Sequence, residues 1–128
     1  MAGADLIVTF GGGSVTEGGK VLRLALHHNI THVDDFDRFR IVVNADGTHA
    51  SRPYEGPRIG QIAIPTTLSA GELTTGGGAT DERVKRKFSH GNPQMIPRTV
   101  IFDPAPTVHT PGFATFPELS PAGDALAT

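Results

Sequence analysis

The sequence contains no cysteine among its 128 residues. Disulfide bonds and thiolate metal ligands are therefore excluded, and this composition fits the reducing environment of the cytoplasm. No apolar run approaches the roughly 20 residues that a membrane-spanning helix needs. The N-terminus also lacks the basic and then apolar segments of a signal peptide. We therefore expect a cytoplasmic protein with no membrane partner.

An excess of charge of one sign is also missing, because 11 Lys and Arg residues oppose 13 Asp and Glu residues. The net charge of -2 gives no reason to expect nucleic acid as a partner. The short basic cluster at 83–87 has acidic neighbours and is predicted to be a solvated face. Glycine and proline are abundant instead, with 16 and 10 residues that cluster in turns.

A glycine-rich stretch near the N-terminus organises the chain. Residues 6–10 are almost continuously apolar, which predicts a strand buried on both faces of a parallel sheet. A turn made of Gly11, Gly12 and Gly13 follows at once. Ser14 and Glu17 have the spacing of a capping box, so a helix is predicted to begin here. Such a helix start would present free N–H groups and a positive dipole end to a phosphate.

This stretch matches neither of two common phosphate-binding motifs. The pattern G-x-G-x-x-G fits Gly11 and Gly13 but meets Thr16 at its third glycine. The P-loop pattern would need glycine at Ser14 and a hydroxyl residue at Val21. From the local pattern alone, a phosphate site and a tight turn that binds nothing remain equally open.

The following segments predict a β-α-β unit. A helix is predicted from Thr16 to about His28, with Asn29 as a left-handed C-cap. Ile59–Pro65 is predicted to be the second core strand, parallel to the first, so that both following loops lie at one carboxyl edge of the sheet.

Three weaker segments complete the predicted elements. Phe39–Val43 is predicted to be a strand that pairs with residues near 49–52 across the Asp46-Gly47 turn. Residues 76–89 are predicted to form a second hairpin that turns near 81–83. Thr99–Phe102 is predicted to be the third core strand.

Seven short segments follow one another along the chain: Leu6–Ser14, Lys20, Ile64–Glu72, Ala79–Asp81, Lys85–Phe88, Ile96-Pro97 and Asp103-Pro104. In this order they resemble the motifs of the iron-containing alcohol dehydrogenase family, and within it the maleylacetate reductase-like branch. The resemblance covers about residues 4–111. Several motifs in one order are far more specific than any single motif.

The resemblance implies an NAD(P)-dependent oxidoreductase with an α/β fold, in which a partial Rossmann-like parallel sheet has a β-hairpin excursion. The glycine turn would hold the pyrophosphate of NAD or NADP, hydroxyl residues after the second strand would contact the cofactor, and a later lysine would lie near the nucleotide. The substrate would be a small alcohol, aldehyde or keto acid. The implied cofactor-binding residues are Gly11, Gly12, Gly13, Ser14, Thr66, Thr67, Ser69 and Lys87.

The family also has an earlier α/β portion and a C-terminal all-helical domain, whose Asp and His ligands hold iron or zinc. We find no counterpart of either in this sequence. Residues 1–111 are therefore expected to be a partial dinucleotide-binding domain, and residues 112–128 a divergent tail. Asp124 loosely echoes the family's first metal ligand and is the single candidate ligand, so we expect this chain to bind no metal.

Three functional interpretations follow. The leading one is a fragment of an oxidoreductase that is inactive by itself. The alternatives are a non-catalytic nucleotide-binding remnant and a purely structural or dimerising fragment. A parallel sheet needs cover on both faces, and only one good helix is predicted, so we also expect a homo-oligomer.

Overall fold

The structure is a computed structural model that describes residues 3–111. It contains one α-helix in this range, α1 (Gly13–His28), and short 3-10 helices at Val33–Phe39, Gly71–Leu73, Pro93–Met95 and Pro106–His109. The strands are β1 (Leu6–Gly11), β2 (Val42–Val43), β3 (His49–Ala50), β4 (Gly60–Pro65), β5 (Gly76–Asp81), β6 (Arg86–Gly91) and β7 (Thr99–Val100). Within residues 3–111, no helix has both the length and the apolar character for crossing a membrane.

A three-stranded parallel sheet in the order β1-β4-β7 forms the centre of the fold. Leu6 pairs with Gly60 at one end, and Gly11 pairs with Pro65 at the other. Strand β1, helix α1 and strand β4 therefore form the predicted β-α-β unit, and both strands end at the same edge. The predicted α/β class and parallel sheet are confirmed.

Helix α1 begins earlier than predicted, and the predicted capping box is wrong. Gly12 is the N-cap, no side chain in residues 3–111 caps this end, and Ser14 lies inside the first turn. The Glu17 carboxylate accepts a hydrogen bond from the Gly78 N–H at 3.1 Å instead. The end of the helix is as predicted, since Asn29 has a φ of 52° and donates its N–H to the Ala25 carbonyl.

One side of α1 packs closely on the sheet. Leu24 is completely buried at this interface. At Gly19 a β-carbon would collide with Thr9 and would lie 2.9 Å from Gln61 Nε2, so this glycine lets the helix approach the strands. At Gly18 no described atom lies within 4 Å of the β-carbon position. Close packing on the strands therefore explains the glycine at position 19 but not the one at position 18.

The opposite face of the sheet is open, so the prediction that β1 is buried on both faces is wrong. Leu6, Val8 and Phe10 alternate along this face and are 45%, 57% and 58% exposed. The register places Ile62 and Ile64 of β4 beside Val8 and Phe10 on the same face. Helix α1 covers only the side on which Thr9 is buried.

Both predicted hairpins exist, with shifted boundaries. Strands β2 and β3 pair antiparallel across the Asp46-Gly47 turn, and β5 pairs with β6. The strand predicted to start at Phe39 is wrong there, because Phe39 ends a 3-10 helix and packs on the rings of His28 and Tyr54. The third core strand ends at Val100, two residues before the predicted end.

Candidate functional site

The candidate site begins where β1 ends at the glycine turn. Gly11 has a φ of 152°, and a β-carbon there would lie 2.8 Å from Val15 Cγ2, so both the backbone conformation and the space demand glycine. Gly12 has an extended conformation that any residue can adopt, and Gly13 is the first residue of α1. The chain therefore passes from strand to helix within two residues.

The loop after β4 forms the second wall of the site. The Thr66 N–H donates a 3.0 Å hydrogen bond to the Gly11 carbonyl and joins the two strand ends. A β-carbon on Gly12 would lie 3.2 Å from Thr67 Cγ2, and one on Gly13 would lie 2.5 Å from Ser69 Oγ. The predicted hydroxyl residues thus lie against the predicted glycines.

Seven of the eight predicted cofactor-binding residues converge at this edge, and Lys87 stands apart from them. Lys87 Nζ forms a 2.7 Å ion pair with Glu17 Oε2, in the second turn of α1. The Lys87 side chain also covers Gly78, where a β-carbon would collide with it. Lys87 therefore lies about one helical turn away from the glycine turn and pairs with the Glu17 carboxylate there.

The start of α1 is suited to an anion. The first N–H groups of a helix have no carbonyl partner within the helix, and the helix dipole adds about half a positive charge at this end. The first turn contains no acidic residue, and no side chain in residues 3–111 caps it. The Val15 and Thr16 N–H groups both donate to the Gly12 carbonyl, at 3.0 and 3.2 Å. The Gly13 and Ser14 N–H groups are therefore the donors that face outward.

An apolar hollow of about 330 Å³ adjoins the site on the far side of Thr67. Residues 65–68, after β4, and 102–104, after β7, form its walls. Thr110 Oγ1 donates a 2.8 Å hydrogen bond to the Thr66 carbonyl. This bond holds the end of the 3-10 helix Pro106–His109 beside the loop after β4. Thr67 therefore borders both the glycine turn and a hollow large enough for a planar ring.

Lys20 is a buried cation behind the site, and its role was missed at the level of the sequence. Its ammonium group donates to the carbonyl oxygens of Gly71, Thr74 and Gly76. Burial lowers the pKa of Lys20 to about 8. One signal was available, since Lys20 lies four residues before the core residue Leu24 and so on the same side of α1.

The described part of the chain does not supply a metal centre. Among residues 3–111, no three His, Asp or Glu side chains come close enough together to hold an ion. Asp124, the single predicted ligand, lies outside the described residues. The donors of the glycine turn fit a phosphate group, whereas residues 3–111 do not fit iron or zinc.

Comparisons with known proteins identify the family and the fold of this chain. A family model described as "Iron-containing alcohol dehydrogenase" matches residues 1–104. "Dehydrogenase FUM7" from Gibberella moniliformis is 37% identical over 112 residues, which are 84% of this chain and 26% of that protein. The chain spans about a quarter of the length of the curated relatives that it matches.

Two solved structures extend the comparison. Maleylacetate reductase from Agrobacterium tumefaciens superposes with a TM-score of 0.56 and 28% identity, over 89% of this chain and 23% of that one. Sulfoacetaldehyde reductase from Bifidobacterium kashiwanohense, solved in complex with NAD+, superposes with a TM-score of 0.62 over 86% of this chain and 26% of that one. At 21% identity, the second likeness concerns the fold alone.

Proposed function

Because the chain belongs to the iron-containing alcohol dehydrogenase family, we propose that its glycine turn binds the pyrophosphate of a nicotinamide dinucleotide. Members of this family are enzymes, namely alcohol dehydrogenases and reductases. The chain would then supply the nucleotide-binding part of an oxidoreductase. The substrate would be a small alcohol, aldehyde or keto acid, a class supported by the names of the relatives.

The observation that supports this proposal best is the close approach of two strand ends around an uncapped helix start. Gly12 and Gly13 lie directly against Thr67 and Ser69, so the helix start and the loop after β4 form one continuous edge. A phosphate approaching there would meet backbone N–H groups and hydroxyls, with no carboxylate in the first helical turn. Backbone donors at a helix start are a common means of binding phosphate in proteins.

Each group would have a distinct task in binding. The N–H groups of Gly13 and Ser14 would donate to the pyrophosphate oxygens, and the hydroxyls of Thr66, Thr67 and Ser69 would line the opposite side. The apolar hollow beside Thr67 would take a planar ring of the dinucleotide. Lys87, on β6 and beside the second turn of α1, would approach the nucleotide from that side. The bound cofactor would supply the hydride chemistry, while these residues supply binding and orientation.

The proposal for the 128-residue chain alone is binding without turnover. Hydride transfer needs the cofactor and the substrate held together in a near-attack geometry. All of the groups that converge at the glycine turn are proposed to contact the cofactor, and none of them is assigned to the substrate. We derive no step through a metal, because residues 3–111 do not assemble a metal site.

We also propose that the chain is a cytoplasmic homo-oligomer. The cysteine-free composition supports a reducing compartment. The open face of the sheet, with Leu6, Val8 and Phe10 about half exposed, supports association through that face.

Calorimetric titration with NADH and NADPH tests the binding proposal. The wild-type chain should bind at least one of them, and Gly12→Val should weaken binding by at least about tenfold, because its side chain would crowd Thr67 and push the loop after β4 away from the helix start. Gly18→Val is the matched control, since its β-carbon position has no described atom within 4 Å. A wild-type chain that binds neither dinucleotide would overturn the proposal and favour the dimerising alternative.

A further inference from the structure

The ammonium group of Lys20 lies at the meeting point of several backbone carbonyls. Lys20 Nζ is 2.5 Å from the Gly71 oxygen, 2.5 Å from the Thr74 oxygen and 2.8 Å from the Gly76 oxygen. The Thr74 hydroxyl lies 3.2 Å from the same nitrogen. The side chain has no solvent exposure at all. A lysine buried in this way binds the surrounding backbone and is not accessible to a ligand from solution.

The carbonyls that Lys20 binds belong to the segment that follows the second wall of the site. Gly71 lies two residues after Ser69, and its N–H donates to Ser69 Oγ at 3.4 Å. Ser69 Oγ in turn occupies the space beside Gly13. A continuous set of contacts therefore runs from the Lys20 ammonium to the helix start where the phosphate would bind.

We propose that Lys20 is a positioning residue that fixes the 69–76 segment against α1 and so holds the Ser69 hydroxyl beside the helix start where the dinucleotide would bind. This inference rests on the proposed binding of a dinucleotide at the glycine turn. In residues 3–111, the hydrogen bonds of Lys20 Nζ go to Gly71, Thr74 and Gly76 and not to the glycine turn or to Ser69. Lys20 acts through Gly71 and Ser69.

Three features of the structure suit Lys20 to the role of holding the 69–76 segment. An ammonium group has three N–H donors, which matches the three carbonyl acceptors. Loss of that group would remove one donor from each of these three carbonyls, of which the Gly71 carbonyl is bound at a buried position. Strand β5 can approach the helix because Gly77 has no side chain, and a β-carbon there would lie 3.1 Å from Lys20 Cβ.

The charged groups around Lys20 are Glu17 and Arg23 on α1 and Glu72 in the 3-10 helix. Glu17 and Glu72 favour the ammonium form, whereas burial and Arg23 disfavour it, with burial the largest effect. The resulting pKa of about 8 places the loss of the proton within an accessible pH range. The neutral amine has only two N–H donors for the three carbonyls.

Lys20→Met removes the donors and keeps a similar length of side chain, and Arg23→Met is its matched control. Arg23 is equally buried on the same helix. It donates to the carbonyls of Ile59, Gln94 and Met95, none of which belongs to the 69–76 segment. Both variants remove a buried cation, but only Lys20→Met removes hydrogen bonds to the 69–76 segment.

The first measurement is amide hydrogen exchange, which needs no nucleotide. In Lys20→Met, exchange should rise by about tenfold or more in residues 69–76, whereas Arg23→Met should leave this segment at the wild-type rate. Unchanged exchange there in folded Lys20→Met would overturn the inference. This result stands whether or not the wild-type chain binds a dinucleotide, so it is separate from a failure of the proposed function.

The second measurement is NADH affinity at a temperature where every variant is folded. Lys20→Met should raise the Kd by about tenfold, and Arg23→Met should leave it within about twofold of wild type. The wild-type Kd should also rise as the pH passes above about 8, whereas the Kd of Lys20→Met should not. Equal losses of affinity in both variants, or the same pH dependence in wild type and Lys20→Met, would overturn the inference.

A milder variant covers the case in which Lys20→Met does not fold. Thr74→Val removes the hydroxyl that contacts Lys20 Nζ and the Gly71 and Gly76 carbonyls. Exchange in residues 69–76 should then rise by a smaller factor, with unchanged exchange in β1. Wild-type exchange throughout the 69–76 segment in this variant would contradict the inference.

Discussion

Ser69 Oγ lies 2.5 Å from the point where a β-carbon on Gly13 would stand. The two residues follow different strands and are brought together only because β1 and β4 end at the same edge of the parallel sheet. Their contact fixes the distance between the helix start and the loop after β4. The contact places the Ser69 hydroxyl beside the helix start, so that a phosphate bound there would meet both.

The contact predicts a specific rescue. Gly13→Ala should destabilise the chain by about 1–3 kcal/mol, because its methyl group collides with Ser69. Adding Ser69→Gly should recover about 1 kcal/mol of the free energy of unfolding, since it removes the opposing side chain. Urea denaturation of the two single variants and the double variant checks this. Strictly additive losses would show that these two residues are not in contact.

The adjacent glycines of α1 should respond in opposite directions. Gly18→Ala should raise the free energy of unfolding by about 0.5–1 kcal/mol, because alanine favours a helix interior and no described atom opposes its methyl group. Gly19→Ala should lower it by about 1–3 kcal/mol, because its methyl group collides with Thr9 and crowds Gln61. Thermal denaturation distinguishes them. The same sign of change in both variants would contradict the described packing of α1.

The open sheet face predicts self-association that one charge can weaken. Light scattering should give a wild-type mass above that of the monomer, and Val8→Lys should shift it toward the monomer. Val84→Lys should have no effect, because Val84 is similarly exposed but lies in the turn between β5 and β6. A wild-type chain that is monomeric at micromolar concentration would refute association through this face.

The buried lysine predicts how stability depends on pH. The pKa of Lys20 is about 8 in the folded chain and 10.5 without burial, so the unfolded chain binds more protons between these values. Stability that depends on this group therefore rises with pH across that range. The free energy of unfolding of wild type minus that of Lys20→Met should increase on the order of 3 kcal/mol from pH 8 to 10.5. A difference that is flat or falls would show that burial does not lower the pKa of Lys20 in the folded chain.

The sequence was sufficient for the elements whose pattern reflects burial. The apolar runs that became β1 and β4 and the stripe of α1 predicted the β-α-β unit. The rule that parallel strands end at one edge then brought Thr67 and Ser69 to the glycine turn. Asn29 was recognisable as a C-cap because few residues other than glycine adopt its left-handed conformation.

Tertiary partners decided what the sequence could not show. Glu17 had the spacing of a capping residue, but Gly78 and Lys87, more than sixty residues away, hold its carboxylate. Lys20 was recognised in the sequence only as part of the family motifs, and only the fold reveals the carbonyls that surround it. Ala70 adopts a φ of 54°, which turns the loop after β4 back toward α1, and no local signal predicts this in alanine.

The most direct test of phosphate binding at the glycine turn is to follow the backbone amide signals of the chain by NMR during titration with NAD+ and with inorganic pyrophosphate. The Gly12, Gly13 and Ser14 amides should shift most in both titrations, because these residues form the helix start that faces the anion. Signals from Phe102 and Asp103, in the wall of the apolar hollow, should move with NAD+ but not with pyrophosphate. Shifts that leave the 12–14 amides unmoved, while any other part of the chain responds, would contradict the account.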